Sequence, residues 1–198
     1  MSDTPSPAGA APAAEPGPAP ITGPIVGIAE ELRTRFSLPQ TALKLQRATR
    51  LWVDVDQAGF LALFDHVVKG MGFSILCTIT GLDLGTDLGL IYHMARDGGI
   101  MVNVKTRVPK GKTHPSVTPW FPGAAIYERE VEDLLGASFD GRPDMPRYPL
   151  PEDWPQGDYP LLKDWKPRAE SEGAAAAPAA APSAGAASPA EKGAAPNV

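Results

Sequence analysis

From residue 25 the apolar positions recur at helical spacing. Ile25, Ile28, Ala29, Leu32 and Phe36 form one stripe, with Glu30, Glu31, Arg33 and Arg35 mostly around the other side. Pro24 opens this helix, where its missing N–H costs nothing, and Ser37-Leu38-Pro39 ends it. A strand is predicted over 44–55, best defined at Leu51, Val53 and Val55. Asp56 then caps a second helix, whose stripe is Phe60, Leu61, Phe64, Val67, Val68 and Met71, with Gly70 and Gly72 as the stop.

Three strands follow. Residues 73–80, FSILCTIT, are short and almost wholly apolar, the pattern of a central strand, and place Cys77 as a small core residue. Residues 88–96 and 100–107 flank Asp97-Gly98-Gly99, a hairpin turn. In the second arm Ile100, Val102 and Val104 share one face, and Asn103, Lys105 and Arg107 the other. A further helix is predicted in 114–136. Thr118-Pro119 reads as its cap and first residue, Pro122 as a restart, and the spacing is regular from Ala124 to Gly136. The fold class is α+β: an α-β-α-β-β-β-α module with helices packed on a mainly antiparallel sheet.

Composition changes the picture at the ends. Residues 1–24 carry seven prolines and residues 169–198 fourteen alanines and four prolines, neither with an aromatic. Both are expected to be disordered tails, because they cannot bury enough apolar surface to offset the entropy of ordering. Residues 137–168 differ, with seven prolines and five aromatics, Phe139, Tyr148, Trp154, Tyr159 and Trp165. So much proline forbids long helices, and so many aromatics argue against a free tail, so an extended partner-docking arm is expected. The division is thus tail 1–24, α+β domain 25–136, arm 137–168 and tail 169–198.

A single cysteine excludes a disulfide framework, a Cys-ligated iron–sulfur cluster within this chain and a Cys₂His₂ zinc site. Net charge −5, from 18 Lys+Arg against 23 Asp+Glu, argues against nucleic acid as a partner. No apolar run approaches the ~20 residues of a spanning helix, and the first residues lack the order of a secretion signal. On the last helix Tyr127, Val131, Leu134 and Leu135 define the apolar arc, with Glu128 and Glu130 on its opposite edges. Those two acids cannot converge on one atom. Glu128 with Glu132, or Glu130 with Asp133, could form closer pairs, and Arg129 could pair with Glu132 or Asp133. A small acid–base or metal enzyme using Glu128, Glu130 and Asp133 is one reading, and hydrogen bonding at a buried interface is the other. His66, His93 and His114 show no ligand spacing. Lys105, Arg107, Lys110 and Lys112 form a basic run that reads as a solvated face or as a contact for an acidic partner.

The run YEREVEDLLG (127–136), then FDGRPD (139–144), LPEDWP (150–155) and YPLLKDW (159–165) resembles the signature of the 30 kDa subunit of respiratory complex I. The matching positions are Tyr127, Glu128, Arg129, Glu130, Asp133, Leu134 and Gly136 in the helix. Gly141, Pro143 and Asp144 follow in the turn, and Trp154, Pro160, Leu161, Lys163, Asp164 and Trp165 in the arm. Two departures stand out: Arg142 where the family has histidine, and Leu162 where it has an arginine able to clasp a carboxylate. ITGLDLG, HPSVTPWFPGA and LPEDWP are more similar to the paralogous subunit of membrane-bound, energy-converting [NiFe] hydrogenases. The resemblance implies a non-catalytic peripheral-arm subunit that carries no cofactor. It would dock on and stabilise a catalytic large subunit, with the NiFe centre and iron–sulfur clusters held by that partner and a small iron–sulfur subunit. Membrane subunits would be reached indirectly, on the cytoplasmic side of the inner membrane. The runner-up within the family is the equivalent 30 kDa subunit of an NADH- or ferredoxin-linked quinone oxidoreductase.

Overall fold

The computed structural model describes residues 21–166, so the tails expected at the two ends fall outside it except for 21–24. Helix α1 (Pro24–Arg35) starts at its proline and buries Ile25, Ile28, Ala29 and Leu32. The segment expected to be one strand over 44–55 is a hairpin, β1 (Leu43–Arg47) and β2 (Arg50–Asp54). Ala48 and Thr49 turn the chain back, so that Leu43 faces Val53 and Leu45 faces Leu51 across the ladder. Asp56 caps α2 (Gln57–Asp65), its carboxylate accepting the Gly59 N–H at 2.7 Å, and the helix runs on into a π-helical turn, His66–Gly70. Phe60, Leu63, Phe64 and Val67 are fully buried, whereas Leu61, placed in the stripe by its spacing, is 39% exposed.

Three long strands follow, β3 (Ile75–Asp83), β4 (Asp87–Arg96) and β5 (Ile100–Pro109), and the sheet order is β1-β2-β5-β4-β3. Every neighbouring pair is antiparallel except β2 with β5. The chain leaves β2 through α2, enters the sheet at its far edge and works back to β5, which closes beside β2. The apolar strand expected at the centre is therefore an edge. Its apolar character has another cause: a helix lies on it, and Gly81 sits so close that an added Cβ would stand 2.4 Å from a Leu135 methyl. Cys77, expected in the core, is exposed at a bulge between Leu76 and Thr78.

The helices cover the face carrying Leu51, Val53, Leu90, Tyr92, Met94, Val102 and Val104, all at most 2% exposed. Phe60 packs on Tyr92 with ring centroids 4.8 Å apart, and Phe64 lies at 5.5 Å from the same ring. On the opposite face Asn103 is held between the His93 ring, 2.6 Å from its Oδ1, and the Leu51 carbonyl, to which its amide donates at 3.1 Å. The expected early start of the last helix does not occur. Phe121 precedes a proline and is disfavoured in the α region, so residues 119–123 form turns in which the Trp120 and Phe121 N–H groups both donate to the Val117 carbonyl at 3.1 Å. Helix α3 (Ala124–Leu135) begins only beyond them. Strand β6 (Thr113–Pro115) pairs in parallel with β7 (Ser138–Asp140), bracketing α3. The architecture is α+β, with three helices on a mainly antiparallel sheet.

Candidate functional site

Helix α3 with its C-cap carries the first part of the signature, Tyr127 to Gly136. Glu128 points inward and is completely buried. Its two carboxylate oxygens accept the Ser116 hydroxyl and the Val117 N–H, each at 2.8 Å, while the Thr118 N–H donates to Ser116 Oγ at 3.1 Å. Burial pushes the Glu128 carboxyl above its ordinary range, and the two hydrogen bonds oppose that shift. Glu128 thus fixes the loop between β6 and α3.

The next acids of the helix hold the segment that follows β7. Glu132 pairs with Arg142 and lies 3.3 Å from Arg129. Asp133, 4% exposed, accepts the Tyr148 N–H at 2.9 Å, with the Arg129 and Arg147 Nε atoms 3.6 and 3.7 Å away. The Leu134 carbonyl accepts the Leu161 N–H at 3.0 Å. Gly136 ends the helix in the left-handed conformation, φ 75°, and the Tyr159 ring lies over it so closely that a Cβ would meet a ring carbon at 2.5 Å. Gly141 turns the chain at φ 80°, and Trp154 and Trp165 both donate their indole N–H to Asp158, at its carbonyl and its carboxylate respectively.

A second anchor lies on β3. Asp83 Oδ2 accepts the Lys163 N–H at 2.8 Å, and Oδ1 accepts the Gly85 N–H at 2.9 Å and meets Lys110 Nζ at 2.9 Å. These contacts, the Lys163 N–H foremost, hold its carboxyl well below the usual carboxylate range. The basic run is thereby divided: Lys110 serves Asp83, Lys105 lies 3.3 Å from Asp54, and Arg107 and Lys112 are exposed.

The three acids considered for chemistry face three different neighbours. Glu128 meets the loop before α3, Asp133 meets Tyr148 and Arg147, and Glu130 lines a groove beside Thr78 to Gly81. Tyr127 lines a separate cleft with Leu76 and Trp120. The histidines are equally dispersed, His66 on Glu31 at 2.8 Å, His93 on Asn103 and His114 in the core. Among the described residues no group of three or more His, Cys, Asp or Glu is placed to hold a metal ion, and no helix is long and apolar enough to cross a membrane. Of the signature side chains, Pro143, Asp144, Leu161, Lys163 and Asp164 are exposed and Pro160 is half-buried. The roles of Asp83, Ser116 and His114 are not legible in the sequence. Asp83 lies within TGLDLG, but nothing local signals a partner eighty residues on.

The pattern of the respiratory-chain NADH dehydrogenase 30 kDa subunit matches residues 51–171. The chain belongs to that family. It is 34% identical over 125 residues to the NADH-quinone oxidoreductase C subunit of Moorella thermoacetica, covering 61% of this chain and 81% of that one. It is 26% identical over 146 residues to the membrane-bound hydrogenase beta subunit of Pyrococcus furiosus, covering 70% and 84%. Against the longer NADH-quinone oxidoreductase C/D subunit of Phocaeicola vulgatus, 38% identical over 101 residues, it spans 19% of the relative's length. In structure it resembles a chain of the membrane-bound sulfane sulfur reductase, an archaeal respiratory membrane complex, with TM-score 0.59, 26% identity and 71% and 85% of the two chains covered. The chain is a 30 kDa-type subunit of a complex I-related oxidoreductase complex.

Proposed function

We propose that this chain is a non-catalytic peripheral-arm subunit that docks on and stabilises the catalytic large subunit of a complex I-related membrane complex. The observation that carries this reading is where the family signature spends its polar groups. Glu128, Glu132 and Asp133 are committed to hydrogen bonds and ion pairs inside the chain, so they build a shape rather than a reaction centre. Among the exposed charges of the segment that α3 holds in place, such as Asp144, Lys163 and Asp164, that shape presents two large apolar side chains outward: Tyr148 is 50% and Leu161 57% exposed. A tyrosine exposed on an ordered segment beside a second large apolar side chain is suited to anchor a protein contact. The redox cofactors belong to the partners, and membrane association on the cytoplasmic side comes through them.

Two kinds of large subunit are compatible with this role. The 34% identity to the quinone-oxidoreductase relative, against 26% to the hydrogenase relative, supports a quinone-reducing partner. The hydrogenase reading is favoured by ITGLDLG, HPSVTPWFPGA and LPEDWP. Affinity purification of the tagged full chain from its native membranes tests both. A co-purifying large subunit is expected, with bound nickel if the complex is a hydrogenase and quinone reductase activity without nickel if it is not. Recovery of the chain alone, under conditions that keep the rest of the complex intact, would overturn the docking role.

A further inference from the structure

We infer that the outer edge of β3 takes an added strand from the partner subunit, an extended segment carrying a basic side chain that meets Glu130. This deepens the docking role proposed above and rests on it.

The two edges of the sheet are built differently. Strand β1 is five residues long and carries Lys44 and Arg47, the short charged design that discourages pairing. Strand β3 is nine residues long, and ILCTITGL, its first eight, contains no charge and no proline. Its ladder runs only to β4, so every second residue directs its N–H and C=O away from the sheet, and no other described strand meets them. The bulge at Cys77 interrupts only one end. Thr78 to Leu82 pair regularly with β4, a length that suits an ordinary strand of five residues, about 17 Å.

Where α3 packs beside β3 lies a groove of about 250 Å³, open to solvent, between Thr78–Gly81 on one side and Glu130, Val131, Leu134, Leu135 and Leu161 on the other. It combines what strand addition requires: free main-chain groups for affinity and side-chain surface for specificity. The apolar wall is Leu134 with the exposed Leu161. Charge selects the occupant. Glu128, Glu132 and Asp133 on the same helix all have partners, whereas Glu130 makes no hydrogen bond or ion pair with any described residue. A lysine or arginine on the incoming strand would complete it, an arginine through two parallel hydrogen bonds.

Hydrogen–deuterium exchange on the full chain, alone and within the complex purified from native membranes, tests the inference. The Thr78–Leu82 amides not bonded to β4 should exchange freely in the isolated chain and at least about tenfold more slowly in the complex. Glu130→Lys should weaken capture of the complex by about tenfold or more, while the isolated variant keeps its melting temperature. If the chain co-purifies with its complex but these amides remain unprotected, strand addition is wrong and the docking role stands. If it co-purifies with no oxidoreductase subunit, the docking role itself fails and this inference with it. If protection arises in the isolated chain as its concentration rises, alongside dimer formation, the edge pairs with a second copy and the assignment to a partner strand is overturned.

Discussion

The carboxylate of Asp83, at the end of β3, accepts the backbone N–H of Lys163 at 2.8 Å across eighty residues of chain. With Leu134 receiving the Leu161 N–H at 3.0 Å, this bond sews the proline-rich segment to both β3 and α3. Asp83 is held well below the usual carboxylate range by Lys163, then Lys110, then Gly85. A depressed folded pKa means that the stabilisation is complete above about pH 4 and is lost as pH falls further. Wild-type protein should therefore lose melting temperature between about pH 4 and pH 2. Asp83→Asn, whose amide cannot ionise, should melt lower at neutral pH and show a shallower acid slope. Melting curves across that range check both effects.

Gly136 and Gly141 provide a matched pair. Both are left-handed, at φ 75° and 80°, but only Gly136 has a ring stacked where a Cβ would go. Gly141→Ala meets nothing within 4 Å and carries only the conformational penalty. Gly136→Ala must also displace Tyr159, so its melting temperature should fall further, by roughly 5–10 °C in total. Exchange of the Leu161 amide, bonded to Leu134, should speed up in this variant and hardly change in Gly141→Ala.

The elements set by nearby residues are readable from the sequence: α1 and its proline, the capped α2 and the β4–β5 hairpin. Each depends on period or turn chemistry within one or two turns of chain. What long-range topology decides is not. An apolar run of strand residues looks the same whether strands flank it on both sides or a helix lies over it, so the pattern alone puts β3 at the centre and Cys77 in the core. For the candidate site, the edge positions of Glu128 and Glu130 on the apolar arc are legible. Which of them turns inward depends on Ser116 and Val117, a loop no periodicity describes.

Cys77 offers a direct check of that correction. It is exposed on an edge strand, so a maleimide should modify it completely in the native, isolated protein without denaturant. Modification that required unfolding would return it to the core.

His114 predicts a second, milder pH dependence. It is 1% exposed, packed 4.5 Å from the Phe60 ring, and burial lowers its pKa from 6.5 to about 4. The unfolded chain therefore takes up a proton first, and stability should decline as pH falls from about 6.5 toward 4, by roughly 3 kcal/mol at most. Glu128, whose carboxyl is pushed upward by its own burial, works in the opposite direction. The comparison of wild type with His114→Phe isolates the histidine, and the variant should show a flatter stability profile across that range in urea titrations.

The apolar side chains proposed as anchors can be separated from the residues that merely fold the segment. Trp154 and Trp165 are half-buried and donate to Asp158, so replacing them both by Ala should loosen the segment itself and lower the melting temperature along with any capture. Tyr148 and Leu161 contribute backbone N–H groups to Asp133 and Leu134, bonds that alanine retains, while their side chains stand 50% and 57% exposed. Tyr148→Ala with Leu161→Ala should thus leave the isolated chain within a few degrees of wild type. The same pair should weaken capture of the large subunit by about tenfold or more, since each truncated anchor of this size costs about 1 kcal/mol or more. Capture measured against melting temperature for both double variants checks the distinction. If the tyrosine–leucine variant is captured at wild-type strength, the contact with the large subunit lies on another face of the chain.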